Sequence, residues 1–122
     1  TRESAAINIC KDLLDEGAIL FINDPKVTCD QIANDLGQRE TSPSNLKEGN
    51  WCFIENLDMG FENADAVIIL TEWDIYTSIN WVDVSKKIRQ PGWVFDARAI
   101  ITDASLVGSK LNLWRIGDGS KI

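Results

Sequence analysis

The apolar positions of this chain change period along its length. Residues 66–70 form five unbroken apolar positions and run directly into Thr71, Glu72, Trp73 and Asp74. A short apolar run without polar alternation is the pattern of a strand covered on both faces inside a parallel sheet. Residues 18–22 (AILFI) and 93–95 repeat that pattern, and residues 51–54 and 113–116 read as further short strands. Between the runs the period lengthens. Ala6, Ile9, Leu13 and Ile7, Cys10, Leu14 fall at helical spacing, with Asn8, Lys11, Asp12, Asp15 and Glu16 on the other face. Thr1 or Ser4 is placed to cap this helix and Gly17 to end it. A second helix is expected from a Thr28 cap to Leu36, stopped by Gly37, and a brief one around Phe61. Helical pieces follow over residues 75–79 and 81–88, and Asp103 is placed to cap a last helix over residues 104–111. Residues 37–50 are almost devoid of apolar side chains and predict a long mobile loop, and residues 117–120 a turn or frayed tail.

Helices and strands thus alternate, which predicts one α/β domain over residues 1–122. It is Rossmann-like and doubly wound, with a mostly parallel sheet flanked by helices. A helix at the very start leaves the expected first strand missing upstream of Thr1, as in a piece of a longer protein.

Composition narrows the function classes. The net charge of -7 opposes a general nucleic-acid surface or an anionic membrane, while leaving room for a local basic pocket. No apolar run approaches the roughly 18 residues of a membrane span, and no secretory leader pattern opens the chain. Histidine is absent, which removes histidine acid–base chemistry, and Cys10, Cys29 and Cys52 are too widely spaced for a zinc motif. Reduced thiols in a cytoplasmic protein are the simplest reading. Neither a GxGxxG fingerprint nor a Walker A loop occurs, and no nucleophile–base arrangement is visible, so no catalytic residue and no metal ligand is assigned.

In an open α/β sheet, ligands bind beyond the carboxyl ends of the strands. Three strand ends carry polar groups: Asn23 with Asp24, Thr71 and Glu72 with Asp74, and Asp96 with Arg98. In a single parallel sheet they would converge on one rim. Arg98 stands out because a guanidinium there grips a phosphate or carboxylate with two prongs; its alternative use is a structural salt bridge to Asp96 or Asp74. Glu72 and Asp74 read as a carboxylate pair or as caps of the following helix. Arg2 lies beside a helix start, where anions are favoured, but reads from position alone as a solvated terminal side chain. The five tryptophans read as core and edge packing rather than a base-stacking platform.

Several segments, in order, resemble one family. Thr1-Arg2-Glu3-Ser4 with Ile7, residues 13–18, and Asp24-Pro25-Lys26-Val27 open the likeness. Residues 64–69, Thr71-Glu72-Trp73-Asp74, Val94-Phe95-Asp96-Ala97-Arg98 and the closing strand 113–117 continue it. Together they resemble the C-terminal, UDP-binding domain of the UDP-glucose/GDP-mannose dehydrogenase family, on its UDP-glucose 6-dehydrogenase branch. The resemblance implies that a longer enzyme oxidises UDP-glucose to UDP-glucuronate with two NAD. Catalysis would lie in N-terminal and central domains of the same chain, within a cytoplasmic homo-oligomer, and this piece alone would be inactive. It implies that Arg98 contacts the UDP-sugar and Arg2 contacts NAD, and it gives none of the three cysteines the nucleophile's role. The family's usual FDGR reads Phe95-Asp96-Ala97-Arg98 here. Two further readings stand beside this one: the corresponding domain of a sister enzyme acting on GDP-mannose or a UDP-N-acetyl sugar, and an assembly module without ligand.

Overall fold

The computed structural model describes residues 4–116. The chain divides between Leu57 and Asp58 into two compact units.

The first unit holds helix α1 (Ser4–Asp15), strand β1 (Leu20–Ile22), helix α2 (Cys29–Leu36) and strand β2 (Trp51–Phe53). The strands pair in parallel, Leu20 with Trp51, Phe21 with Cys52 and Ile22 with Phe53. Leu14, Ile32, Leu36 and Trp51 form the buried cluster, with Ile7, Cys10, Leu20 and Ile22 packed against it. Ile7, Cys10 and Leu14 of this cluster are the helical stripe expected from the sequence. Thr28 caps α2 by accepting from the Gln31 N–H, and Gly37, at φ 71°, closes it in the left-handed conformation that costs glycine nothing.

Residues 37–50, expected as a mobile loop, are instead tied to β2 and to α2 by polar contacts. The Trp51 indole N–H donates to Gln38 O at 3.0 Å, and Gln38 Nε2 donates to Gly49 O at 2.8 Å. The Glu40 carboxylate accepts from the Phe53 N–H at 2.8 Å and from the Cys29 thiol at 3.1 Å. Low apolar content misled the expectation because backbone and amide hydrogen bonds, rather than burial, hold this segment.

The second unit holds strands β3 (Ala66–Ile69), β4 (Trp93–Asp96) and β5 (Asn112–Arg115), all parallel and in that order. Helix α3 (Leu57–Phe61) begins at the boundary, and helix α4 (Trp81–Lys87) connects β3 to β4. Asn80 caps α4 with a side chain that accepts from the Asp83 N–H. Phe61, Ile69, Tyr76, Trp81, Val84, Ile88, Val94 and Ile101 are buried. A Cβ on Gly92 would meet Leu111 Cδ2 at 2.8 Å and Ile88 Cγ2 at 3.2 Å, so a side chain there would have to push the Leu111 methyl aside.

The pairing is parallel and the class α/β, as expected, with the strands in two small sheets. Two local expectations change. The helix foreseen over residues 104–111 is a short 3₁₀ turn, Asp103–Leu106, capped by Thr102 rather than Asp103. Gly108 and Lys110 take φ of 83° and 62°, which no helix tolerates. The strands of this unit are also not covered on both faces. Val94 is fully buried, whereas Ile68, Trp93 and Phe95 on the opposite face are exposed, and the Trp93 and Phe95 rings stack at 5.6 Å. Trp51 and Trp81 are core residues, and Trp93 is not.

Candidate anion site at the carboxyl edge of the second sheet

The site grows from the last residue of β4. Asp96 is completely buried, and its carboxylate accepts two backbone N–H groups, from Arg98 at 3.2 Å and from Ile101 at 2.8 Å. Those two bonds fold residues 96–101 into a tight turn. Its neighbours hold it on both sides, because the Ala97 N–H donates to Ile69 O and the Ile116 N–H donates to Asp96 O, both at 3.0 Å. Arg115, which lies opposite Asp96 in the β4–β5 register, donates from Nη1 to Ile101 O at 2.8 Å and to Asp103 Oδ1 at 3.1 Å.

The left-handed residue of the turn is Ala99, at φ 57°, and not Ala97. Alanine at 97 therefore carries no left-handed strain. The turn presents Arg98 just past β4, beside the segment that leaves β3. Arg98 Nη2 donates to Glu72 Oε1 at 2.5 Å, with the two side chains 36% and 60% exposed. The sequence foresaw Asp96 or Asp74 as the ionic partner. The structure instead gives the Asp96 carboxylate to the backbone and the guanidinium to Glu72. Asp74 opens the 3₁₀ turn Asp74–Ser78, and its carbonyl accepts from Thr77 Oγ1. The Trp73 indole N–H is buried with no hydrogen-bond partner among the described residues.

The structure thus brings Glu72, Asp96 and Arg98 together at one edge. Asn23 and Asp24, in the first unit, have structural duties there. Asn23 Nδ2 donates to Ile54 O at 2.8 Å, and Asp24 Oδ1 accepts from the Lys26 and Val27 N–H groups. Arg2 and the expected turn over residues 117–120 lie outside the described residues. Sequence reasoning did not find Ala99 or Arg115, because neither a left-handed alanine nor a strand register leaves a mark in the sequence.

Among the described residues no activated nucleophile accompanies the arginine. Cys10, Cys29 and Cys52 are free thiols in the first unit. Burial pushes each of them up, and for Cys29 the Glu40 carboxylate adds to it, to about 11. They are protonated near neutrality and poor nucleophiles. The described residues do not build a dinucleotide site either. Asn23-Asp24-Pro25 follows β1 and Leu70-Thr71-Glu72 follows β3, with no glycine where a pyrophosphate would approach a helix start.

The fold is that of a parallel α/β domain, with an arginine at the carboxyl edge of its sheet, where such folds meet their ligands and where a guanidinium can grip an anion. The chain belongs to the UDP-glucose/GDP-mannose dehydrogenase family, whose UDP binding domain it matches over residues 1–103. It is 37% identical over 103 residues to a UDP-glucose 6-dehydrogenase of Gallus gallus, covering 84% of this chain and 21% of that protein. It is 34% identical over 118 residues to the Drosophila melanogaster enzyme of the same name, covering 96% and 25%. UDP-glucose 6-dehydrogenase 4 of Arabidopsis thaliana is 33% identical over 136 aligned residues, covering 93% and 28%. The chain therefore spans between about a fifth and somewhat over a quarter of the length of these relatives.

Proposed function

We propose that residues 1–122 form the UDP-sugar-binding domain of an NAD-dependent UDP-glucose 6-dehydrogenase, which oxidises UDP-glucose to UDP-glucuronate. The observation that carries this reading is the Arg98 guanidinium at the carboxyl edge of β4, held on the turn that Asp96 folds. In that role Arg98 binds the UDP-sugar, its planar fork matching phosphate oxygens in a way an ammonium cannot. Arg2, in the Thr1–Ser4 motif, contacts NAD. NAD would supply the hydride acceptor, and N-terminal and central domains of the same chain would supply its main binding site and the reacting groups. The work of the present residues is to bind and orient the nucleotide end of the substrate. A homo-oligomer in the cytoplasm is the setting proposed. Its support is the family membership.

The test is Arg98→Ala in the full-length enzyme, with UDP-glucose and NAD varied in turn. Loss of one charge-assisted contact, about 1.5–3 kcal/mol, corresponds to a rise in the UDP-glucose KM of about ten- to a hundredfold. The KM for NAD is expected to change little. Unchanged KM for UDP-glucose in a folded variant would return Arg98 to a structural role that includes its salt bridge to Glu72.

A further inference from the structure

The second unit carries another concavity, at the opposite edge of its sheet. β4 begins at Trp93 and β5 at Asn112, and the chain entering these strands passes Gln90 on one side and Gly108 to Lys110 on the other. Between them and α4 lies a half-open cavity of about 350 Å³, lined by Val82, Ser85, Lys86, Gln90, Gly108, Ser109 and Lys110. Its lining contains two lysines and no carboxylate, in a chain of net charge -7.

The polar groups of this lining divide into committed and available ones. Gln90 is committed: Nε2 donates to Ser85 O at 3.1 Å and Oε1 accepts from the Gly92 N–H. Ser85 Oγ donates to Val82 O at 2.6 Å. Ser109 is different. It is 1% exposed, and its Oγ accepts from the Leu111 N–H at 3.2 Å, which leaves its hydroxyl proton to donate. Among the described residues neither Lys86 nor Lys110 forms a salt bridge. The backbone N–H groups of Gly108 and Lys110 likewise have no acceptor among them. Those two residues have positive φ on either side of Ser109, which does not. Alternation of handedness along consecutive residues is the backbone habit of anion-binding nests. Lys110 holds its left-handed φ without being glycine, a conformation that is sterically costly for a residue with a Cβ.

We propose that this cavity is a second anion site, separate from the Arg98 edge, which takes the phosphoryl group of a small phosphorylated compound or inorganic phosphate. Lys86 and Lys110 supply charge, the Ser109 hydroxyl donates from the floor, and the Gly108 and Lys110 N–H groups complete the donor set. A volume of about 350 Å³ exceeds what one phosphate fills, so Val82 is left to cover an organic substituent. The proposal does not depend on the identity of the ligand at Arg98.

Amide chemical shifts of the full 122-residue chain, titrated at constant ionic strength with inorganic phosphate and separately with glycerol phosphate, test it. The expected result is saturable shifts at residues 85–86 and 108–111, separate from any shifts of the Arg98 turn over residues 96–101. The double variant K86Q/K110Q, altered only at exposed side chains, should weaken binding by about tenfold or more. Arg98→Gln should leave these shifts in place. Tighter binding of the ester than of phosphate would assign the remaining volume to an organic group, and equal affinity would assign the site to the free anion. Shifts spread over the other lysines, unchanged affinity in K86Q/K110Q, or loss of the shifts in Arg98→Gln would each overturn the proposal.

Discussion

Arg98 reaches across from the end of β4 to grip Glu72, which follows β3, and the pair closes at 2.5 Å over the carboxyl edge of the sheet. The contact orients the guanidinium and occupies part of its donor fork, so in the proposed role of Arg98 an anionic ligand would compete with Glu72 for that fork.

The consequence is measurable. The pair is well exposed, so it stabilises the unliganded state by no more than about 1 kcal/mol. Glu72→Gln removes the competing charge and should tighten UDP binding by up to about fivefold, with little change in melting temperature. Calorimetry with UDP on both proteins checks this. Weaker binding by the variant would mean that Glu72 serves the ligand by aiming Arg98.

Asp96 is a structural residue with a functional output. Asp96→Ala strips the acceptor from the N–H groups of Arg98 and Ile101, and should cost roughly 2–4 kcal/mol of stability. Urea unfolding measures the cost. Any UDP affinity that depends on Arg98 should fall with it, because the turn that presents the guanidinium loses its anchor. A variant as stable as the parent would show that the turn is held by other contacts.

The two alanines of this turn should respond in opposite directions to glycine. Ala99 occupies φ 57°, so Ala99→Gly relieves a steric cost and should stabilise by about 0.5–1 kcal/mol. Ala97 has no positive φ, and Ala97→Gly only loosens the unfolded chain, costing about the same amount. Thermal melts of the two variants side by side decide it, and a stabilising Ala97→Gly would show that residue 97 carries the strain.

The thiols set an alkaline limit. Cys29 is pushed up from 9.0 to about 11 by burial and by Glu40. An acid whose folded pKa lies above its unfolded value holds more protons when folded. Its contribution is complete below about pH 9 and is lost as pH rises toward about 11. Stability should therefore fall across that window, Cys10 and Cys52 acting in the same direction. Cys29→Ala should flatten the slope, as followed by unfolding at a series of pH values. An identical slope in the variant would assign the alkaline limit to other groups.

The sequence by itself determined what depends on neighbours along the chain. The stripe of Ile7, Cys10 and Leu14, the Thr28 cap, the Gly37 stop, and the apolar runs at 66–70 and 93–95 are local patterns, and each marks an element in the fold. Parallel pairing followed from the alternation of helices and strands, and so did the place of Arg98 just past a strand. Tertiary structure decided what depends on register and on partners distant in sequence. Glu72 and Arg98 are 26 residues apart, and only the β3–β4 pairing shows that they meet. The exposed face bearing Trp93 and Phe95 follows from strand alternation combined with what packs on each side, which an apolar run cannot show. The helix expected over residues 104–111 fails where Gly108 and Lys110 take positive φ, which the residue type permits at Gly108 and does not announce at Lys110. The same backbone builds the lysine-lined cavity, whose members come from two segments that only the folded sheet brings together.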